Sequence, residues 1–122
     1  MRDAIFFMIE TCVNIIALKE RTADDEQLAT ELLQMLKNCQ QQKLIELLEA
    51  IQENNYKLIA FLLHKFKTPV ATLGFDKLKS EIEIVEKYAH NYSETFDYNS
   101  KINCIFISLN NHIVELEKIL KK

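Results

Sequence analysis

One glycine, one proline and no tryptophan occur in 122 residues. Antiparallel sheets and α/β folds draw on several glycines for their tight turns, so this scarcity argues for long helices and few turns. The cysteines are few as well. Cys12, Cys39 and Cys104 are odd in number, far apart, and show no CxxC or Cys/His spacing. That pattern excludes a disulfide scaffold and a zinc site, and reads as reduced, mostly buried thiols of a cytosolic protein. Basic charge is also short: a net charge of −3 sets aside a general nucleic-acid binder, which needs clustered Lys and Arg. The apolar stretch Ile5-Phe6-Phe7-Met8-Ile9 is cut off by Glu10 and Asn14. It is too short to span a bilayer and lacks the basic start and small-residue cleavage site of a secretory signal. It reads as a packed first helix within residues 1–22 of a soluble, cytoplasmic protein.

What is present is helical periodicity. Nearly half the residues are apolar and 27% are charged, an ordinary mixture for one soluble domain over residues 1–122. From Asp24, which with Asp25 suits the electropositive start of a helix, Leu28, Leu32, Met35, Leu36 and Cys39 recur at spacings of three and four, which predicts one buried stripe. Gln40-Gln41-Gln42 shifts the phase before Leu44, Leu47, Leu48 and Ile51 resume it, which leaves one long helix or two open. Asn54-Asn55 then breaks the chain, and a segment from Tyr56 to Leu73 runs to Gly74, placed as a left-handed helix cap. Asp76 to Tyr88 turns Leu78, Ile82 and Val85 inward. A polar stretch offers Ser93, Asp97, Asn99 and Ser100 for caps and turns. The last helix carries Ile102, Ile105, Phe106, Leu109, Ile113, Leu116 and Leu120. The expectation is an all-α fold: an antiparallel four-helix bundle over 24–122 with an additional N-terminal helix.

The segment around His64 carries the chemistry. At 100° per residue, Leu58, Ile59, Leu62, Phe66, Pro69, Val70 and Leu73 fall roughly opposite the histidine. His64 shares its own stripe with Lys57, Ala60, Lys67, Thr68 and Ala71, and Phe61 and Leu63 flank it. The imidazole is therefore expected to point outward, with small neighbours, Ala60 and Thr68, one turn away on either side. His90 and His112 have no such setting and read as surface or core-edge residues.

The run His64-Lys65-Phe66-Lys67-Thr68-Pro69-Val70-Ala71-Thr72-Leu73-Gly74 resembles the signature of histidine-containing phosphotransfer domains. That signature is His, any residue, an apolar residue, Lys, a small residue, and a Gly ten positions after the His. The likeness runs from about Asp24 to Tyr88 and weakly through the last helix. It takes in the leucine-rich helix before Asn54-Asn55, and Val85-Glu86 near the family's Leu-Glu pair. The resemblance implies a four-helix bundle, a phosphoryl group accepted on His64, and exchange with aspartates of receiver domains or a hybrid histidine kinase. It implies Lys67 as electrostatic companion to the phosphate and Glu86, a surface carboxylate of the next helix, as the group that orients His64. Lys57, Ala60, Phe61, Lys65, Thr68 and Ala71 would form the docking face. Gly74 and Pro69 would be structural. No metal, cofactor, ATP site or autonomous turnover is implied, and the chain is expected to be a monomer that meets neither nucleic acid nor membrane.

The residue types suit such a role. Imidazole is a nucleophile near neutral pH, a carboxylate on one ring nitrogen frees the other, and phosphoryl transfer needs positive charge by the equatorial oxygens. Two departures keep alternatives open. Thr68 replaces the usual glycine, and Pro69 removes a helix hydrogen bond to Lys65. Thr68-Pro69 also resembles the phosphoacceptor box of sensor histidine kinases, whose dimerisation domain is the second reading. A third is a helical adaptor that docks receiver domains without carrying phosphate.

Overall fold

The structure, a computed structural model, describes residues 13–120, and they form five helices with no strand among them. These are α1 (Ile15–Arg21), α2 (Glu26–Gln52), α3 (Tyr56–Thr72), α4 (Asp76–His90) and α5 (Tyr98–Leu120). The stretch 5–9 lies outside the described residues.

Short polar side chains start three of the helices, as their chemistry demands. The side chains of Asn14, Asp25 and Asn55 accept from the amides of Ala17, Leu28 and Leu58, satisfying N–H groups that have no partner inside the helix. Asp97 accepts from the Ser100 amide in the same way at the start of α5. α2 is one continuous helix: the three glutamines are good helix formers, and no Gly or Pro interrupts the run. Its inward line is Ala29, Leu33, Leu36, Leu47 and Ala50, whereas Leu28 and Met35 are exposed, contrary to the stripe read from the larger side chains. The small Ala29 and Ala50 mark the true inward face, and they carry little weight in a pattern of large apolar residues. Leu58 likewise stands in solvent while Leu63 is fully buried.

The four longer helices pack in a cycle, α2 on α3, α3 on α4, α4 on α5 and α5 on α2, and the α3–α4 contact is the most extensive. Fully buried Ile59, Leu63, Val70, Leu78, Ile82, Val85, Ile102, Leu109 and Leu116 fill the space between them. Phe66 stacks on Phe106 with ring centroids 5.3 Å apart. At the α4–α5 connection Tyr88 stacks on Phe96, and the Tyr98 hydroxyl donates to the Ser93 carbonyl. Cys39 is half-buried and Cys104 is exposed on α5, which corrects the expectation of buried thiols there. Among the described residues, no helix is long and apolar enough to cross a membrane.

The α3–α4 turn is fixed by α1. Gly74 has φ +81°, the left-handed conformation that its position after a helix suggests. A second constraint adds to this. The Asn14 amide donates to the Gly74 carbonyl at 2.7 Å, and a Cβ on Gly74 would lie 2.5 Å from the Asn14 oxygen. Asp76, the first residue of α4, accepts from Asn14 Nδ2 at 2.7 Å and from Arg21 at 2.9 Å, and Arg21 also donates to the Ala71 carbonyl. Burial pushes the Asp76 carboxyl up, but the hydrogen bonds from Arg21 and Asn14 outweigh it and hold the group below its usual range.

His112 lies in the core rather than at its edge. It is 3% exposed, its Nδ1–H donates to the Ser108 carbonyl at 2.7 Å, and the Phe75 ring lies 4.9 Å away. Its buried Nε2 has no hydrogen-bond partner. Burial holds its pKa below the usual histidine value, against the Ser108 carbonyl and Glu81, which favour the charged ring.

Two outcomes follow from this packing. Gly74→Ala should lower the unfolding free energy by about 1–2 kcal/mol from the left-handed backbone alone, and by more because the added methyl meets the Asn14 carbonyl. Urea denaturation measures it, and an unchanged midpoint would disprove the close approach of α1. His112 gives a pH effect. Below the ordinary histidine pKa of about 6.5 the unfolded chain takes up a proton that the folded chain refuses, so stability falls as pH drops from there toward the lowered folded value. His112→Leu should flatten the fall in stability below about pH 6.5; an identical profile would show that the fold does not disfavour the charged ring.

Candidate functional site

His64 stands mid-way along α3 beside the seam with α4, and Glu86 lies across that seam on α4. The α3–α4 turn and the length of the two helices set this register, which brings residues 22 apart in sequence together. The His64 side chain is 68% exposed and that of Glu86 only 9%. Nδ1 of His64 lies 2.9 Å from Oε2 of Glu86. Lys67, one turn further along α3, donates from Nζ to Oε1 of the same carboxylate at 3.0 Å and lies 3.6 Å from Glu83. Nε2 of His90, one turn beyond Glu86 on α4, is 3.5 Å from Oε2.

Sequence reasoning placed Glu86 on the surface; the structure buries it. A carboxylate gives up water only where other donors replace it, and here the Lys67 ammonium and the His64 ring do so. Burial pushes its pKa up, but hydrogen bonds from Lys67 and His64 and the charge of Lys67 prevail, so the carboxyl sits below its usual range. Lys67 is raised in turn, first by its hydrogen bond to Glu86, against the cost of its own burial.

The protonation pattern of His64 follows from its partner. An ionised carboxylate only accepts, so Nδ1 of His64 carries the proton. In the neutral ring the lone pair is then on Nε2, the other ring nitrogen of an imidazole that is largely in solvent. The geometry produces a tethered nucleophile with one ring nitrogen engaged and the other available.

The expected docking residues divide. Lys57, Phe61, Lys65 and Thr68 are exposed on the His64 side of α3, with Lys65 Nζ 5.4 Å from the centroid of the Phe61 ring. Ala60 is 2% exposed and belongs to the core, and Ala71 is half-buried with its carbonyl taken by Arg21. Both are corrections with one cause: His64 stands beside the α3–α4 seam, so one edge of its stripe turns toward α4 and leaves solvent. Pro69 lies within α3, half-buried, and the helix runs through it to Thr72. The Thr72 hydroxyl donates to the Thr68 carbonyl at 2.9 Å.

Glu83 went unread in the sequence, and His90, read as a surface or core-edge residue without the setting of His64, lies 3.5 Å from the same carboxylate. The signal was available, since residues 83, 86 and 90 repeat at three and four along α4 and so share a face with Glu86. No protein-family model matches the chain, and neither a curated protein nor a solved structure matches it.

The buried pair predicts a stability effect that a surface carboxylate would not show. Glu86→Ala should still fold but lose about 1–3 kcal/mol, the loss of the charge-assisted hydrogen bonds it accepts from Lys67 and His64. The lowered Glu86 pKa makes its contribution whole above the ordinary glutamate range and lost as pH falls through the folded value. The raised Lys67 pKa makes its own whole below the ordinary lysine range and lost as pH rises through the folded value. The gap between wild type and Glu86→Ala, measured by thermal unfolding, should therefore be widest at neutral pH. A gap of zero there would show that the carboxylate is not held.

Proposed function

We propose that this chain is a histidine phosphotransfer protein: an antiparallel four-helix bundle with an N-terminal helix, taking phosphate on His64 from receiver aspartates and returning it. The single observation that supports the reading most is the exposed imidazole whose Nδ1–H is engaged by a buried carboxylate of the adjacent helix.

In the forward step the Nε2 lone pair attacks the phosphorus of a receiver's aspartyl phosphate in line with the leaving oxygen. The N–P bond forms as the P–O bond to the aspartate breaks, and the aspartate carboxylate leaves with the electron pair. Nδ1 keeps its proton and goes on donating it to Glu86, so the positive charge gained by the phosphorylated ring is balanced by a carboxylate 2.9 Å away. Return of the phosphoryl group reverses each change. Lys67 holds Glu86 through Oε1 and stands one turn from the reacting ring, where its charge also offsets that of the phosphoryl oxygens. Lys57, Phe61, Lys65 and Thr68 offer the mixed basic and apolar face that a receiver would meet.

The experiment is phosphotransfer from a panel of phosphorylated receivers, followed as acid-labile, alkali-stable label. Wild type should become labelled and His64→Gln should not. Lys67→Ala should slow labelling by about tenfold, the loss of one charge-assisted interaction of roughly 1.4 kcal/mol, while Lys57→Ala should change it much less. Label retained by His64→Gln would overturn the assignment. A wild type that binds receivers without taking label would leave a helical adaptor, and a stable dimer would favour the kinase dimerisation domain.

A further inference from the structure

Glu86 serves two histidines with one oxygen. Oε1 is taken by Lys67 at 3.0 Å, while Oε2 faces Nδ1 of His64 at 2.9 Å and Nε2 of His90 at 3.5 Å. Among the described residues, no group of three His, Cys, Asp or Glu side chains is arranged to hold a metal ion. The two rings approach the same carboxylate oxygen.

His90 is the last residue of α4, one turn after Glu86 and largely in solvent. A carboxylate repels a ring lone pair, so the favourable state of His90 beside it carries a proton on Nε2. An N–H next to Oε2 does two things. It resists rotation of the Glu86 side chain away from the seam, and it draws on the same lone pairs that His64 uses. Lys67 fixes one oxygen from α3 and His90 flanks the other from α4, so the carboxylate is held from both helices.

We propose that His90 is a positioning residue for His64, acting through Oε2 of Glu86, and that it sets how firmly the Nδ1–H tautomer of His64 is held. The inference rests on the phosphotransfer reading for its rate effect and on the contacts alone for its spectroscopic effect. Its reach is modest because the contact is long and the ring exposed.

The test uses the full chain with His90→Ala and His90→Gln, the second keeping an N–H donor near the same place. Two readouts are taken: the ¹⁵N shifts of the His64 ring at fixed pH, and the rate of labelling from a phosphorylated receiver. His90→Ala should move the His64 ¹⁵N shifts toward a mixture of tautomers and slow labelling roughly threefold to tenfold, as the loss of one weak charge-assisted contact implies. His90→Gln should recover most of both. A residue that only caps α4 would leave the His64 spectrum where it was. Unmoved ¹⁵N shifts in His90→Ala would overturn the proposal whether or not the rate changes, as would moved shifts with a wild-type rate. Absence of label in wild type would sink the phosphotransfer reading instead, and the ¹⁵N comparison would still decide the role of His90.

Discussion

A carboxylate withdrawn from water has to find its hydrogen bonds inside the protein, and Glu86 finds both across the seam, from Lys67 and His64. Lys67 and His64 reach it from α3 and His90 from its own helix. Each would be an ordinary surface group without it. With it, their positions are coupled: the lysine is drawn over the seam, the histidine ring is turned with Nδ1 inward, and the other nitrogen is left to solvent. The energetic term is double-edged, because an uncompensated charge at that depth would cost several kcal/mol. The site therefore exists only while α3 and α4 keep their register.

That register is set at the other end of the hairpin. The left-handed turn at Gly74 brings α4 back along α3, and Asn14 and Arg21 of the α1 region pin it through the Gly74 and Ala71 carbonyls and Asp76. A helix of seven residues adds little core of its own. Its effect is on the turn, where a small displacement is carried three turns along the pair to the seam that holds Glu86. The exposed Arg21–Asp76 pair is worth little as an ion pair in water. Its value is that the same guanidinium also satisfies a carbonyl at the end of α3.

Local signals in the sequence translated well, and signals that depend on a distant partner did not. Asp25 at a helix start, Asn54-Asn55 as a break and Gly74 as a helix end are visible because each acts within four residues of itself. The second constraint on Gly74, the Asn14 carbonyl, comes from a residue 60 positions earlier that no local pattern reveals. Ala60 shows the same boundary. A helical projection places it near His64 but cannot say that α4 occupies that edge, and a methyl group fits either side. Glu86 was reachable only by position after the histidine, and its burial depends on Lys67, His64 and His90 meeting it. His112 lies on the inward side of α5 among Leu109, Ile113 and Leu116, where a polar residue type conceals a core position.

The two departures around Thr68 and Pro69 can be weighed by direction. At 100° per residue Pro69 sits about 140° around α3 from His64, so the hydrogen bond it removes, to the Lys65 carbonyl, lies well away from the reactive face. The chain accommodates it, half-buried, within a continuous helix. Thr68 is different: it is about 40° from His64, one turn along and exposed, where a β-branched side chain stands beside the approach to the ring. The carboxylates beside the ring are themselves paired: Glu86 holds Lys67 at 3.0 Å, and Glu83 lies 3.6 Å from both Lys67 and Lys79. On the proposed function these two lysines offset the two carboxylates, so the charge that meets an incoming phosphoryl group on Nε2 has to come from Lys65 on the exposed face or from the partner.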